Sequence, residues 1–236
     1  MPIILKNIAF ILLIGFSTFA SAHISYFKTW TLYTFNGQYD KLLYAVEPQF
    51  RMVDQNSGYQ QFLFNTGLGT WLDDKWQLWL GQTIVNNNSA NNITDDITNT
   101  ISGEYRLWQQ INLVSNNTVL GDFLFRTRLE ERHPEFANNW SIRFRERMYW
   151  TISLTDRQSF VIGDEFFVNI KSAPWITTQT IDQNRVFLGV QQKLTPTLSI
   201  NLSYLNQFLT TPIQEMNHGI FINLIYMPDG YSFNNE

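Results

Sequence analysis

The chain of 236 residues contains no cysteine, and this absence excludes several classes of protein at once. Disulfide-stabilised scaffolds, thiol enzymes and zinc sites with thiolate ligands all require cysteine. The three histidines, His23, His133 and His218, are far apart in the sequence, and no pair has the spacing of metal ligands. The G-x-S-x-G, P-loop and dinucleotide-binding motifs are also missing. We therefore expect no metal and no cofactor, and an enzyme is the less favoured interpretation.

Long hydrophobic runs are missing as well, apart from a short one at the N-terminus. Lys6 precedes an apolar run over residues 8–19, and Ala20-Ser21-Ala22 forms an A-x-A cleavage site. This run is well short of the ~20 residues that a membrane-spanning helix needs. We predict that residues 1–22 are a cleaved signal peptide and that residues 23–236 form one exported domain. An uncleaved N-terminal anchor is the alternative.

Charged residues are scarce, at 15% of the chain, and the formal net charge is −4. This mildly acidic composition gives no indication of nucleic-acid binding. Aromatic residues make up 16% of the chain, yet the mean hydropathy is slightly negative at −0.18. A chain with one apolar face and one polar face explains both values, and transmembrane β-barrels are built in this way.

Alternation of apolar and polar residues is the dominant pattern, and helical periodicity is nowhere sustained. The alternation occurs in extended runs, most of them long enough for a tilted transmembrane strand, which needs ~9–11 residues within the bilayer. Eleven such runs lie at about residues 29–37, 41–53, 58–71, 75–86, 99–114, 118–132, 140–153, 158–170, 181–193, 197–210 and 217–227.

Short turns alternate with longer polar connections along the chain. The longer connections lie at about 86–98, 133–139, 171–180 and 211–217. Outer-membrane barrels have short periplasmic turns and longer external loops. The sequence therefore predicts an all-β fold: an antiparallel transmembrane β-barrel of 10–12 strands in the bacterial outer membrane.

The number of runs conflicts with the even strand count of bacterial barrels, in which both termini are periplasmic. Runs two to eleven alone make ten strands and satisfy this rule. The first run, at residues 30–37, is then a periplasmic or luminal segment, or one half of a pair that makes twelve strands. The sequence leaves these alternatives open.

Nine of the ten arginines fall on the polar face of their runs, and only Arg157 lies in a turn. A charge facing lipid at mid-depth costs ~2–4 kcal/mol, so we expect these side chains to face the interior. Glu146 is an exception on the apolar face, and we expect a bulge there or a position near the headgroups. The predicted luminal charge cluster consists of Arg51, Arg106, Arg126, Arg128, Arg132, Arg143, Arg145, Arg147, Arg185, Glu47, Glu104, Glu130 and Glu165.

This cluster has two interpretations. It is a structural ladder, in which arginine and glutamate pair across neighbouring strands and fill a narrow lumen. Alternatively, it is a constriction or pocket for a small anionic solute or a lipid headgroup. The first interpretation is the preferred one, but the excess of arginine over glutamate, nine to four, keeps the second open, because unpaired arginines attract anions.

Tryptophans at the ends of runs indicate aromatic girdles at the two membrane interfaces. The predicted girdle residues are Trp71, Trp76, Trp140, Trp150 and Trp175. Trp79 and Trp108 instead fall on luminal faces, where we expect them to fill the interior.

The last run carries a polar residue, Asn217, then Gly219 and alternating apolar positions that end at Tyr226. This pattern resembles the signal read by the barrel-assembly machinery, which we expect to be a partner together with outer-membrane lipids. Ten residues follow Tyr226, whereas the signal is usually terminal. His218 lies in the same run and resembles, superficially, the histidine of outer-membrane phospholipases. No serine follows it at the expected spacing, and this argues against a hydrolase. A lipid-modifying hydrolase is therefore kept only as the alternative function.

Several fragments together resemble an uncharacterised bacterial family, domain of unknown function 2490, whose members look like exported β-barrels. The resemblance covers nearly the whole chain after residue 22 and implies fold and compartment, since the family has no established activity. The matching fragments are Thr29-Trp30-Thr31, the strand with Glu47 and Arg51, and residues 103–110 (GEYRLWQQ), 126–132 (RTRLEER), 143–147 (RFRER), 164–167 (DEFF) and 183–189 (QNRVFLG).

Overall fold

The computed structural model describes residues 24–53, 58–90, 99–118, 120–176, 178–210 and 214–228, so the predicted signal peptide lies outside the described residues. This part of the chain forms β-strands, with no helix suited to crossing a membrane. The strands are β1 (Phe27–Tyr39), β2 (Leu42–Val53), β3 (Gly58–Trp71), β4 (Trp76–Ala90), β5 (Asn99–Thr118), β6 (Gly121–Pro134), β7 (Ser141–Ser153), β8 (Gln158–Lys171), β9 (Ile181–Lys193), β10 (Leu198–Leu209) and β11 (Glu215–Tyr226).

Eleven strands close into a barrel in which every consecutive pair is antiparallel. The barrel closes between β1 and β11, which pair in parallel from Phe27 opposite His218 to Phe35 opposite Tyr226. An odd number of strands with alternating direction leaves one parallel pair, and this seam is that pair. The strand count lies within the predicted range, but the expectation of an even number is wrong. The first run is a full strand of the wall.

The two ends of the barrel differ. One end, called here the short-turn end, carries the turns at residues 40–41, 72–75, 154–157 and 194–197 and the end of β11. The other, called the long-connection end, carries the connections at 135–140, 172–180 and 210–214 and the start of β1. Because the seam is parallel, β1 begins at the long-connection end and β11 ends at the short-turn end, unlike the first and last strands of a barrel whose termini share one side.

The outer wall is apolar. Successive side chains of a strand point to opposite faces, so the alternating sequence sorts large apolar side chains outward and polar ones inward. Exposed apolar residues on the outward positions include Phe35, Tyr44, Phe50, Phe64, Leu68, Leu80, Ile84, Leu107, Ile111, Leu188, Val190, Leu202 and Ile220.

The lumen is filled by side chains, including two apolar clusters. Toward the short-turn end, Leu43, Trp79 and Trp108 pack together, as expected for the two tryptophans. The ring of Trp108 lies against Gly67, where an added Cβ would come within 2.5 Å of the ring. The second cluster consists of Trp30, Phe187, Leu205 and Phe221, with Leu32 and Tyr149 packed against it.

The tryptophans at the strand ends do not all face outward. Trp76, Trp140 and Trp150 lie on the outer surface, in line with the girdle positions predicted for them. Trp71 instead packs against the luminal cluster of Leu43, Trp79 and Trp108. Trp175 lines the cavity at the long-connection end. The girdle prediction is wrong for these two residues, because position at a strand end does not determine the face.

Glu146 faces outward in regular register, opposite Thr127 on β6 and Phe166 on β8. Its carboxylate accepts a hydrogen bond of 2.7 Å from the Thr127 hydroxyl. The bulge predicted at this position is therefore wrong. The register shift in β7 lies instead between Ile142 and Arg143.

Candidate functional site

The structure places all nine arginines and all four glutamates of the predicted charge cluster inside the barrel. Most are buried, and Glu130 has no exposed surface at all. They lie on six of the eleven strands: the five neighbouring strands β5 to β9, and β2 on another part of the wall. The residues brought together in this way are Glu47, Arg51, Glu104, Arg106, Arg126, Arg128, Glu130, Arg132, Arg143, Arg145, Arg147, Glu165 and Arg185.

Glu130, on β6, is one centre of this network. Its carboxylate accepts hydrogen bonds from the guanidinium groups of Arg143, at 2.7 and 3.1 Å, and of Arg145. Arg128 lies 3.7 Å away from the same carboxylate. One carboxylate therefore neutralises cations on two neighbouring strands, which ties β6 to β7.

Glu165, on β8, is a second centre. It accepts hydrogen bonds from Arg126 on β6, from Arg145 on β7 at 2.6 Å, and from Arg185 on β9 at 3.4 Å. Because Arg145 contacts both Glu130 and Glu165, the two centres form one network across four strands. Such fixed geometry suits arginine, whose planar guanidinium can bind two carboxylates at once.

Glu104 forms a third group at the long-connection end. It accepts two hydrogen bonds from Arg106, at 2.8 and 3.0 Å, and two from Arg132, at 2.6 and 3.1 Å. Nearby, Asp182 accepts a hydrogen bond of 3.1 Å from Arg143. The Arg132–Glu104 and Arg143–Asp182 pairs have little exposed surface, so salt screens them less than it screens surface ion pairs.

Aromatic rings support the guanidinium groups that the carboxylates do not fully surround. Arg143, Arg145 and Arg185 all lie over the ring of Phe167, with distances of 4.4–5.1 Å between the guanidinium carbon and the ring centroid. The guanidinium of Arg128 lies 3.9 Å from the ring centroid of Trp108. These contacts are cation–π interactions, and they gain strength where water is excluded.

Two arginines of the luminal cluster make no ion pair among the residues that the structure describes. Arg51 donates hydrogen bonds only to the amide oxygens of Gln49 and Gln61, at 2.6–3.1 Å. Arg147 stacks on Tyr149, and its Nε has no hydrogen-bond partner in the described part of the chain. Glu47, which lines the same inner cavities as Arg147, likewise has no described ion pair.

Three cavities are described in the interior, one large and two small. The large cavity, of about 770 Å³, is open at the long-connection end and is called here the vestibule. Its charged lining consists of Lys28, Arg51, Arg106, Arg132, Arg143, Arg185, Glu104 and Asp182. Toward the short-turn end, the two described cavities between the arginine network and the cluster around Trp108 are small, at about 70 and 80 Å³. The lumen is therefore wide at one end and filled at the other.

Four important luminal residues are missing from the sequence-based prediction. Lys28 precedes the first predicted run, and Trp30 lies in the run whose position was left open. Phe167 looks like an ordinary apolar strand residue in the sequence. Asp182 lies at a register shift between β8 and β9, and nothing in a single sequence indicates this shift.

His218 faces outward near the long-connection end, away from the lumen. Its Nδ1 contacts the Tyr204 hydroxyl and lies 3.4 Å from the side-chain nitrogen of Asn206. No serine or threonine hydroxyl is among the hydrogen-bond partners that the structure describes for this histidine. The described residues also contain no group of three or more His, Asp or Glu that could hold a metal ion.

Comparison with known proteins identifies relatives whose activity is equally open. An uncharacterised protein of Methylorubrum extorquens is 24% identical over 207 residues, which cover 84% of this chain and 86% of that protein. No solved structure matches the chain. The family described as "Protein of unknown function (DUF2490)" matches residues 27–217, a span that runs from the first residue of β1 into β11. The chain is therefore a member of the DUF2490 family.

Proposed function

We propose that this protein is an exported outer-membrane barrel that binds small anionic solutes in its vestibule and does not form an open channel. The observation that carries this proposal is the charge of the vestibule. Its lining contains six cationic side chains and only two carboxylates, Glu104 and Asp182, around a cavity of about 770 Å³. A concave surface with an excess of one charge concentrates ions of the opposite charge.

The distribution of polarity supports the membrane location. The apolar side chains of the wall face outward, and a lipid bilayer would cover them. The buried charges face inward, where they avoid the ~2–4 kcal/mol cost of a charge in the bilayer. Residues 1–22 have the features of an export signal, and β11 carries the glycine and alternating apolar positions of an assembly signal. We propose outer-membrane lipids and the barrel-assembly machinery as partners on these grounds.

The contrast between turns and connections supports one orientation. Outer-membrane barrels expose their longer connections to the outside. In that orientation the vestibule opens to the cell exterior, and the filled half of the lumen faces the periplasm. Solutes would reach the vestibule without crossing the barrel.

The filled half of the lumen favours binding over conduction. Cavities of about 70 and 80 Å³ accommodate only a few water molecules, which is much less than the vestibule holds. The seven arginines with a described ion pair are held by charge-assisted hydrogen bonds, which resist displacement. Continuous passage of ions would require this network to break.

Calorimetry and bilayer recordings on the refolded protein test the two halves of the proposal. We expect saturable binding of inorganic phosphate and succinate, none of choline, and weaker anion binding as sodium chloride is added. Planar bilayers containing the protein should show no steady current. Absence of saturable anion binding would overturn the binding function and leave a structural envelope protein. A steady anion-selective current would contradict the proposal that the filled lumen does not form an open channel.

A lipid-modifying hydrolase based on His218 is the alternative function. The position of this histidine on the outer wall, in contact with Tyr204 and Asn206, is compatible with a lipid substrate. The described contacts supply no serine nucleophile, and this disfavours the alternative. A turnover assay on phospholipid and lipid A that compares wild type with His218→Ala tests it. If wild type hydrolyses lipid and His218→Ala does not, the protein is a hydrolase and our proposal of anion binding is replaced.

A further inference from the structure

We propose that Lys28 and Arg51, on either side of Trp30 in the vestibule, form a subsite for the doubly negative group of an organic anion, either a phosphate monoester or a short dicarboxylate. This inference rests on the proposed function and names the part of the vestibule that binds. It also assigns a role to two residues of β1, Lys28 and Trp30, that lie outside the predicted charge cluster.

The subsite is built by two neighbouring strands. Trp30 of β1 pairs with Arg51 of β2, and Lys28 pairs with Val53, so the two cations lie diagonally across one ladder. Both side chains point inward and line the vestibule. Arg185 approaches the same place from β9, with its guanidinium carbon 4.8 Å from the ring centroid of Trp30.

The two cations differ from the other cations of the vestibule in their partners. Arg106, Arg132, Arg143 and Arg185 each contact a carboxylate. Lys28 and Arg51 contact only amide oxygens in the described part of the chain: Lys28 contacts Gln207 at 3.4 Å, and Arg51 contacts Gln49 and Gln61. Amide oxygens supply hydrogen bonds but do not neutralise charge. Carboxylates act on the two cations only from a distance, Glu215 on Lys28 and Glu165 on Arg51, and neither cation makes an ion pair in the described part of the chain.

Trp30 adds a donor that has no partner. The residue is 2% exposed, and its Nε1–H has no hydrogen-bond acceptor among the described residues. A buried donor without a partner costs free energy, so a small shift of the ring that brings the donor to an acceptor on a ligand would be favourable. The guanidinium of Arg51 lies 4.0 Å from the centroid of the Trp30 ring and is held in place by this contact.

These groups define the ligand by its chemistry. Ammonium, guanidinium and indole N–H groups are donors only, so the ligand must present acceptors. Two cations that make no ion pair match a group with two negative charges better than they match chloride or a monocarboxylate. The size of the vestibule and the apolar side chains of Phe136, Trp175 and Leu209 on its wall leave space for an organic body attached to that group.

The matched variants are Lys28→Gln/Arg51→Gln and Lys75→Gln/Arg157→Gln. Each removes one lysine and one arginine, but Lys75 and Arg157 lie in turns at the short-turn end, away from the vestibule. Calorimetry on refolded protein measures binding of glycerol phosphate, succinate and acetate. Dioctanoyl phosphatidate in detergent micelles distinguishes a lipid phosphate from a soluble phosphate ester.

We expect wild type and the turn variant to bind glycerol phosphate or succinate more tightly than acetate. The vestibule variant should lose at least about tenfold in affinity, because it lacks two cationic donors to the charged group of the ligand. Trp30→Phe, which keeps a ring but removes the N–H donor, should weaken binding by a smaller factor. Tighter binding of phosphatidate than of glycerol phosphate would identify the lipid headgroup as the source.

The outcomes separate this inference from the proposed function. No anion binding by wild type overturns both. If the vestibule variant binds the anion as well as wild type does, the subsite is overturned but the proposed function is not. Binding would then depend on another cation of the vestibule, and Arg132→Gln should abolish it. Loss of folding in the vestibule variant also contradicts the inference, since removal of two buried cations that make no ion pair should leave thermal stability equal or higher. The thermal shift that glycerol phosphate produces in wild type provides a second measure of affinity.

Discussion

Glu130 neutralises more buried positive charge than its single carboxylate would suggest. It holds Arg143 and Arg145 by hydrogen bonds, with Arg128 within 3.7 Å, and it is completely buried. Bringing charges out of water is costly, and the cost is offset only while every charge keeps its partners. Residues of this kind contribute to stability mainly because removing one leaves the others uncompensated.

Replacing Glu130 with glutamine keeps the size and removes the charge. We expect Glu130→Gln to lower the free energy of unfolding by about 3–5 kcal/mol, because the guanidinium groups of Arg143 and Arg145 lose a buried counter-charge. Urea titration in detergent micelles, followed by tryptophan fluorescence, measures the change. Glu131→Gln is the matched control, since Glu131 is the next residue on β6 and faces outward. Equal stabilities of the two variants would contradict a stabilising role for the network.

The charge cluster shows how far single residues can be predicted. Period-2 alternation identifies the face of Arg126, Arg128 and Glu130, because a strand has only two faces. The sequence does not show which residue pairs with each charged side chain. Arg51 and Arg143 look equivalent in the sequence, yet only Arg143 contacts carboxylates in the structure. Pairing depends on which strands are neighbours and on their register, both of which are properties of the folded barrel.

At the scale of strands, the seam between β1 and β11 differs from every other pair in the wall. Gly219 faces Lys28 across it, and an added Cβ at Gly219 would lie 2.0 Å from the Lys28 carbonyl oxygen. The obstacle is backbone, which cannot move without disturbing the ladder. The seam therefore requires glycine at this position.

Gly219→Ala should weaken the closure of the barrel, with a loss of about 1–3 kcal/mol in the free energy of unfolding. Gly37→Ala is the control. There the added Cβ would meet the side chain of Tyr44, which is 40% exposed and free to move outward. Heat-modifiable gel mobility and urea titration would compare the two variants. A larger effect of Gly37→Ala than of Gly219→Ala would show that the seam tolerates a wider spacing.

The sequence predicts the positions of the strands well, but it does not predict how the barrel closes. The predicted runs overlap all eleven strands because alternation and turn residues are local signals. Closure is not local, since β1 meets a strand at the other end of the chain. The even-number rule describes bacterial barrels as a group, and a single parallel pair overrides it here.

At the scale of the whole molecule, the proposed orientation predicts which residues are accessible from outside the cell. The chain contains no cysteine, so a single introduced thiol has no competitor. In intact cells, a membrane-impermeant maleimide should label Asn138→Cys, in the connection between β6 and β7. It should not label Asp156→Cys, in the turn between β7 and β8. Both should react after lysis. The reverse pattern would place the vestibule on the periplasmic side, and labelling of both in intact cells would contradict a membrane-spanning barrel.

The parallel seam has a consequence for the way in which this chain must fold. The contacts across it join residues about as far apart in the sequence as the barrel allows, such as Tyr26 and Asn217, separated by 191 positions. Contacts between distant residues form slowly, since the chain must first lose the entropy of the loop between them. In a chain that lacks β11, the edge of β1 that normally pairs with β11 would have no partner strand, and the arginine-lined interior would be open to water. Closure of the lumen is therefore the last step of folding, and it depends on the complete synthesis of the chain.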